Sequence, residues 1–488
     1  KDMAAQATMR LLWDQFEVLQ ERTEREQSVL AGGLKTSTVV PGLIRRAQQI
    51  QASGVAEPPD TGPPPPPPLP PSSQLTIVDN QYFQRDGQPV LPIFCHFMEA
   101  FSLYTRNPAT VTSELTAIAN AGYTGIRFLD VLNGQPYWEG REINPIDVES
   151  EGIDIDATPD YYTELEDFLT LCRDKGLLVN WSRGDQYPYS QDDRETHFTN
   201  LGNLANNIGI DVIGVFEGVN EYFTNGVELG TLLPLMVRFS DEAGTGMIRA
   251  LSSPYIAEAA GNLAETSDGV PLAMAHGLRE GNLITKMRAI YSVREDFWPG
   301  KPVWQDEPPG SGTGSTEEQD EMDEQGLPLM AVLSLLCDQP YTVVLSNGVR
   351  FYAAISDEVG FATVPAAVAA LPNDLMQWPQ VITAGDTAAE LESPDGDPSI
   401  SGPGADNPWI DQRFDLAQGK LAAVIYGGAG TIRIRPRHRK WVGNVYKFTD
   451  DSPYLELVNS FNLEKDEIQE LSYNPDDVRG CLILGDVG

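Results

Sequence analysis

Apolar and polar positions change their spacing three times along this 488-residue chain. In the first thirty residues Met9, Leu12, Phe16, Leu19, Thr23 and Leu30 follow an a/d register with charged residues on the other faces. That register predicts an amphipathic helix whose stripe needs a partner: copies of itself, a groove on another assembly protein, or this chain's own globular part. After Gly32 and Gly33 the chain turns polar and enters EPPDTGPPPPPPLPPSS (57–73), where Pro63 to Pro68 dictate a stiff polyproline spacer. From Gln74 short apolar runs alternate with amphipathic stretches. The runs VLPIFC (90–95), YTGIRFLDV (123–131), LLVNWS (177–182), DVIGVFE (211–217), YIAEAA (255–260), VPLAMA (270–275), PVWQDE (302–307) and YTVVLS (341–346) predict strands. Stretches of helical period such as TVTSELTAIANAG and DYYTELEDFLTLCRDKG lie between most of them. This alternation predicts an α/β fold, a (β/α)8 TIM barrel. A doubly wound open sheet is the alternative, but no GxGxxG turn follows a strand. Past residue 371 the helical period gives way to alternation at LAAVIYGG, GTIRIRPR, VGNVYKF and YLELVNSF, which predicts a small β-sandwich-like domain. The expected division is a helical anchor or oligomerisation segment (1–56), a polyproline linker (57–73), the barrel (74–371) and a β-rich C-terminal domain (372–488).

Composition narrows the partners. Hydrophobic residues make up 41%, enough for a large interior, and the net charge of −38 argues against a nucleic-acid backbone as ligand. One basic cluster, Arg433, Arg435, Arg437, His438, Arg439 and Lys440, reads first as the polar face of an exposed strand and second as a site for an acidic ligand. Cys95, Cys172, Cys337 and Cys481 are far apart and predict buried free thiols. With four histidines and no HxxH-type cluster, no metal site is expected. No apolar run approaches the ~18 residues of a membrane span.

In a barrel of this kind function gathers where the strands end. The predicted strand ends bring forward Arg127, Asn220, Glu221, His276 and Glu307, with Trp138, Trp181, Tyr187, Tyr222 and Trp304 as nearby aromatics. Two glutamates at the ends of two apolar strands are what acid-catalysed glycoside cleavage requires, one to donate a proton and one to attack or to stabilise the sugar cation. Arg127 would sustain charge on the attacking carboxylate, Asn220 would hold a sugar hydroxyl and His276 would tune either glutamate. Aromatic faces would stack on a pyranose. Glu217 and Asp306 compete for the catalytic places, His276 could equally be a core histidine, and Trp304 reads first as barrel core rather than as a sugar platform. No cofactor is implied, because two carboxylates suffice.

Between Gln74 and about Leu371 the chain resembles the clan A glycoside hydrolases, the cellulase-like family 5 type of (β/α)8 barrel. DGQPVLPI resembles the entry to the first strand, and AIANAGYTGIRF the helix and strand that carry the family arginine, here Arg127. GVNE resembles the fourth-strand Asn-Glu signature, which implies Asn220 as a sugar ligand and Glu221 as acid/base. KPVWQDEPPGSG resembles the nucleophile motif and implies Glu307. There are departures: NWSRGD lacks the third-strand histidine, AHGL lacks the tyrosine after the sixth, and YTVVLSNGVRF lacks the eighth-strand tryptophan. The expected function is a retaining O-glycosyl hydrolase with a carbohydrate substrate; a catalytically silent carbohydrate-binding adhesin or a structural virion component is the alternative. Helix, rod and barrel together suggest display on a tailed-virus fibre, spike or decoration protein, or another surface assembly, and hence an extracellular or virion-surface location.

Overall fold

The computed structural model describes residues 74–487 other than 80, 131–136, 139–140, 143–147, 150–151, 154–159, 184–190, 223–226, 245, 254–269, 277–301, 309–325, 346–353, 359, 379, 384–390, 393–398, 402–408, 416–418, 427–429, 449–454 and 474–479. The expected N-terminal helix, the polyproline segment and Tyr187 lie outside the described residues.

Eight parallel strands close into a barrel, numbered here in chain order: β1 Ile93–His96, β2 Gly125–Leu129, β3 Leu178–Ser182, β4 Ile213–Glu217, β5 Arg249–Ser253, β6 Leu272–Ala275, β7 Val303–Gln305 and β8 Tyr341–Val343. The runs read from sequence overlap every strand except the fifth, which lies at 249–253 and not at 255–260. Its sequence, RALSS, carries too few apolar residues to register as a buried strand, because Ser252 serves the polar end of the barrel.

Alternation along the strands divides side chains between barrel interior and outer layer. On β2 Arg127 faces inward while Phe128 packs outward on Phe168, 4.9 Å away between ring centres. Phe168 belongs to the helix Tyr161–Asp174, whose buried face Tyr161, Leu165, Phe168, Leu169 and Cys172 follows the helical period. The helix Pro108–Ala121 has Pro at its first turn, is capped by Asn107, whose Oδ1 accepts from the Thr110 amide, and ends at Gly122 with φ +98. Inside the barrel Phe94 meets Trp304 edge-on at 4.8 Å, and Trp304 meets Phe83 at 5.7 Å. Phe83 comes from the small antiparallel sheet formed by Leu75–Val78, Tyr82–Arg85 and Gln88–Val90. A Cβ on Gly125 would stand 2.8 Å from the Phe94 ring, so the glycine makes room for this aromatic layer.

The C-terminal part forms antiparallel sheets of six and four strands. In the six-stranded sheet Ala422, Val424 and Leu482 join the core that runs through the barrel, while Leu421, Ala423, Ile425, Cys481 and Ile483 turn to a second core. Ile434 of the four-stranded sheet enters that second core, so the six-stranded sheet is covered on both faces. The helix Gly326–Leu336 (GLPLMAVLSLL) is apolar on every side because it is buried throughout. All four cysteines are free and buried. Among the described residues no helix is long and apolar enough to cross a membrane.

Candidate active site

The polar cluster sits where β1, β2, β4, β6 and β7 end. Arg127 is its hub and has no solvent exposure. Its Nη1 donates to Glu307 Oε1 at 2.6 Å, and its Nη2 donates to Asn220 Oδ1 at 2.7 Å and lies 3.1 Å from Glu217 Oε2 and 3.4 Å from Asp306 Oδ2. Burial alone would lower the pKa of the guanidinium; Glu217, Glu307 and Asp306 overcome this and hold it above its ordinary value. His276 occupies the other side, with Nδ1 at 2.7 Å from Glu221 Oε1 and 3.5 Å from Glu307 Oε2, and Nε2 at 3.5 Å from Asp306 Oδ2. Burial again acts downward, yet Glu307, Asp306 and the hydrogen bonds to Asp306 and Glu221 raise the imidazole well above its usual range. The charged form of His276 is therefore favoured.

Exposure separates the four carboxylates. The Glu217 and Asp306 side chains are 0% exposed, whereas Glu221 retains 24% and Glu307 14%. Burial pushes the Glu217 carboxyl above the usual carboxylate range, against the pull of Arg127. Glu217 and Asp306 are placed to brace Arg127 and His276, while Glu221 and Glu307 meet solvent. One oxygen of each lies, with a nitrogen of His276, within 4.8 Å of the others. That triad has the donor chemistry of a small cation site, but the histidine would first have to lose its proton.

The turn that presents Glu221 depends on local detail. Gly218 follows β4 over the helix Leu229–Ala243, and a Cβ there would come within 2.7 Å of the Met236 side chain. Glu221 then takes φ +46, a left-handed conformation that costs a non-glycine residue roughly 1–2 kcal/mol. The Asn220 amide donates to the Arg183 carbonyl at 2.7 Å and the Glu221 amide to Ser252 Oγ at 2.8 Å. Arg183 is itself held by Asp130, whose Oδ2 lies 3.3 Å from Arg183 Nε and accepts from Trp181 Nε1 at 3.0 Å and the Tyr161 hydroxyl at 3.1 Å.

Five of the residues expected from sequence, Arg127, Asn220, Glu221, His276 and Glu307, meet in this one cluster. The aromatic expectations need correction. Trp181 is wholly buried on the outer side of β3 against Phe216 and Phe239, each 5.7 Å away, because it alternates with inward Asn180 and Ser182. Trp304 faces inward but one layer below the site, beneath Asp306, with its indole N–H on Thr342. Tyr222 is 1% exposed. None of the three offers a face to a sugar. Trp138 lies in a two-residue strand opposite Arg141. His96 was missed because the apolar run ends at Cys95, one position earlier; its Nδ1 lies 3.4 Å from Arg127 Nη1 and accepts, since arginine can only donate. In the basic cluster Arg433 pairs with Glu470, Arg435 with Asp466 and Lys440 with Glu464, all at the surface.

The chain matches no family model, and no curated protein matches its sequence. Solved structures do share its fold. A protein described as a glycoside hydrolase superposes with TM-score 0.61 at 10% identity, covering 85% of this chain and 97% of that one. A putative glycoside hydrolase from Bacteroides vulgatus superposes with TM-score 0.58 at 12% identity over 85% of this chain and 83% of that one. A family 5 glycoside hydrolase from the same organism gives TM-score 0.56 at 13% identity over 84% and 93%. These shares exceed what residues 1–378 could supply if every one were matched, so the C-terminal sheets lie inside the likeness and not outside it, as the sequence motifs had suggested. The fold is that of glycoside hydrolases with an eight-stranded parallel barrel followed by antiparallel sheets.

Proposed function

We propose that this protein is a retaining O-glycosyl hydrolase in which Glu221 is the acid/base and Glu307 the nucleophile. The observation that carries the reading is the partition within the carboxylate cluster: the two carboxylates that keep solvent access are also the two that share His276 Nδ1, with oxygens within 4.8 Å. Inverting chemistry needs roughly 6.5–9.5 Å to admit a water between sugar and base, while a covalent route needs about 5 Å. Glu307 is oriented by Arg127 on Oε1 and attacks the anomeric carbon through Oε2 as Glu221 protonates the departing oxygen. Glu221 then takes a proton from the water that releases the glycosyl-enzyme. The His276–Glu221 pair holds a proton beside the cleft in the resting enzyme. Asn220, whose Oδ1 accepts from Arg127, is placed at the cleft to contact a sugar hydroxyl.

The test is turnover of a panel of aryl glycosides by the wild type, E221Q and E307Q, with the anomer of the first product read by proton NMR. The expected result is retention of configuration and a loss of turnover in both variants with glycan binding preserved. An inverted first product overturns the covalent route. A wild type that binds glycans without cleaving them moves the assignment to a silent adhesin, the reading favoured by the departures on the third, sixth and eighth strands. Display on a virion or other surface assembly, through residues 1–73, is proposed from sequence alone; a monomer in sedimentation counts against it.

A further inference from the structure

The geometry points to Ser252 as the positioning residue that fixes Glu221 for proton transfer, an inference that rests on the acid/base assignment above. Glu221 is one of five described non-glycine residues with positive φ, and the other four, Asp79, Asp86, Asp338 and Asp466, are aspartates. Aspartate tolerates the left-handed region because its short side chain bonds to the local backbone; glutamate has no such support. The conformation at Glu221 must therefore be held from outside. Its amide donates to Ser252 Oγ at 2.8 Å. Ser252 lies on β5 with no solvent exposure, in register with Met274 of β6.

The hydroxyl accepts from the Glu221 amide and stands beside Glu217, whose carboxyl pKa it acts to lower together with Ser182, while Arg127 donates to that carboxylate. Arg127 in turn holds Glu307. Buried hydrogen bonds join Glu307 to Arg127 and Arg127 to Glu217, and Ser252, next to Glu217, holds the Glu221 amide. Ser252 is thus the side chain that fixes the backbone of Glu221 beside this cluster. A side chain that only filled space there would be replaceable by any group of its size; one that must accept the Glu221 amide is replaced well by another hydroxyl and poorly by a thiol, which accepts only weakly.

The test compares S252A, S252C and S252T in the full chain by two readouts. Hydrogen exchange of the peptide spanning 218–222, followed by mass spectrometry, is expected to quicken by about tenfold or more in S252A and S252C and to stay near wild type in S252T. Turnover of an aryl glycoside is expected to fall about 100-fold in kcat in S252A, because a misplaced acid costs rate and not ground-state affinity, with KM within about threefold. S252T is expected to restore most of kcat, and S252C, though closest in size, to restore little. Unchanged exchange in S252A, or recovery by Cys and not by Thr, overturns the inference. If the wild type cleaves no glycoside, the functional reading fails while the exchange measurement still decides whether Ser252 holds this turn.

Discussion

Replacing Arg127 by methionine removes the cation that pairs with Glu217, Asp306 and Glu307 together. Methionine fills much of the same volume, so the loss is chiefly electrostatic. Glu217 and Asp306 are wholly buried, and after the change His276, 3.5 Å from Asp306, would be the only cation of the cluster among the described residues. Removing one partner from a buried ion pair costs about 3–5 kcal/mol. With an unfolding entropy of about 2.1 cal/mol/K per residue, and residues 74–488 melting together, that cost lowers Tm by about 3–6 °C. The deficit has a defined pH dependence. Burial already raises Glu217 above its ordinary range, and without Arg127 it rises further. A carboxyl whose folded pKa lies above its unfolded value contributes stability at low pH that is lost as pH rises through the folded value. The gap in Tm between wild type and R127M should therefore be widest near pH 8 and narrow toward pH 5. Differential scanning calorimetry across that range is the assay, with R127K as the control that keeps a charge but loses the planar fork. A gap below about 1 °C, or one that does not change with pH, would refute the role of Arg127 as the counter-ion of a buried carboxylate pair.

Two further outcomes follow. His276 is raised well above its usual range, so its contribution to stability is complete below about pH 6.5 and is lost as pH rises through the folded value. The Tm difference between wild type and H276N should accordingly shrink in alkali, and a constant difference across pH 6–10 would exclude a charged His276. Trp304 lies beneath the site against Phe94 and Phe83. W304F should lower Tm while leaving KM for an aryl glycoside within about twofold, since a buried ring supports packing and not substrate; a tenfold rise in KM would make it a ligand contact.

The barrel was legible because buried parallel strands are apolar on both faces and stand out between amphipathic helices. Arg249–Ser253 escaped since its apolar content is low and its Ser252 serves hydrogen bonding at the polar end. The cluster of Arg127, Asn220, Glu221, His276 and Glu307 was legible for a topological reason, as closing the barrel brings its strand ends to one rim. The aromatics were misjudged because proximity to a strand end does not say which face or layer a ring occupies. Register settles that: Trp181 stands beside Phe128 on the outer side, while Asn180 stands beside Arg127 on the inner one. Contacts between residues far apart in sequence, such as Ser252 with Glu221 or Asp130 with Trp181, follow only from register and loop geometry.

The charge of the rim also constrains what it can accept. Among the described residues of the rim the carboxylates Glu217, Glu221, Asp306 and Glu307 outnumber the cations Arg127 and His276, in a chain whose net charge is −38. Such a field favours an oxocarbenium-like transition state, which gains positive charge as the glycosidic bond breaks. The same field opposes a substrate that brings its own anion. A sugar carboxylate about 8 Å from one uncompensated charge meets a repulsion of about 0.5–2 kcal/mol, for effective dielectric constants between about 80 and 20. That corresponds to a factor of about 2–30 in kcat/KM. A neutral aryl hexoside should therefore be cleaved faster than the matching aryl uronide, and the ratio should fall as added salt screens the field. A preference for the uronide would require a cationic subsite elsewhere in the cleft. A ratio indifferent to salt would mean that shape, and not the carboxylate field, sets the choice of sugar.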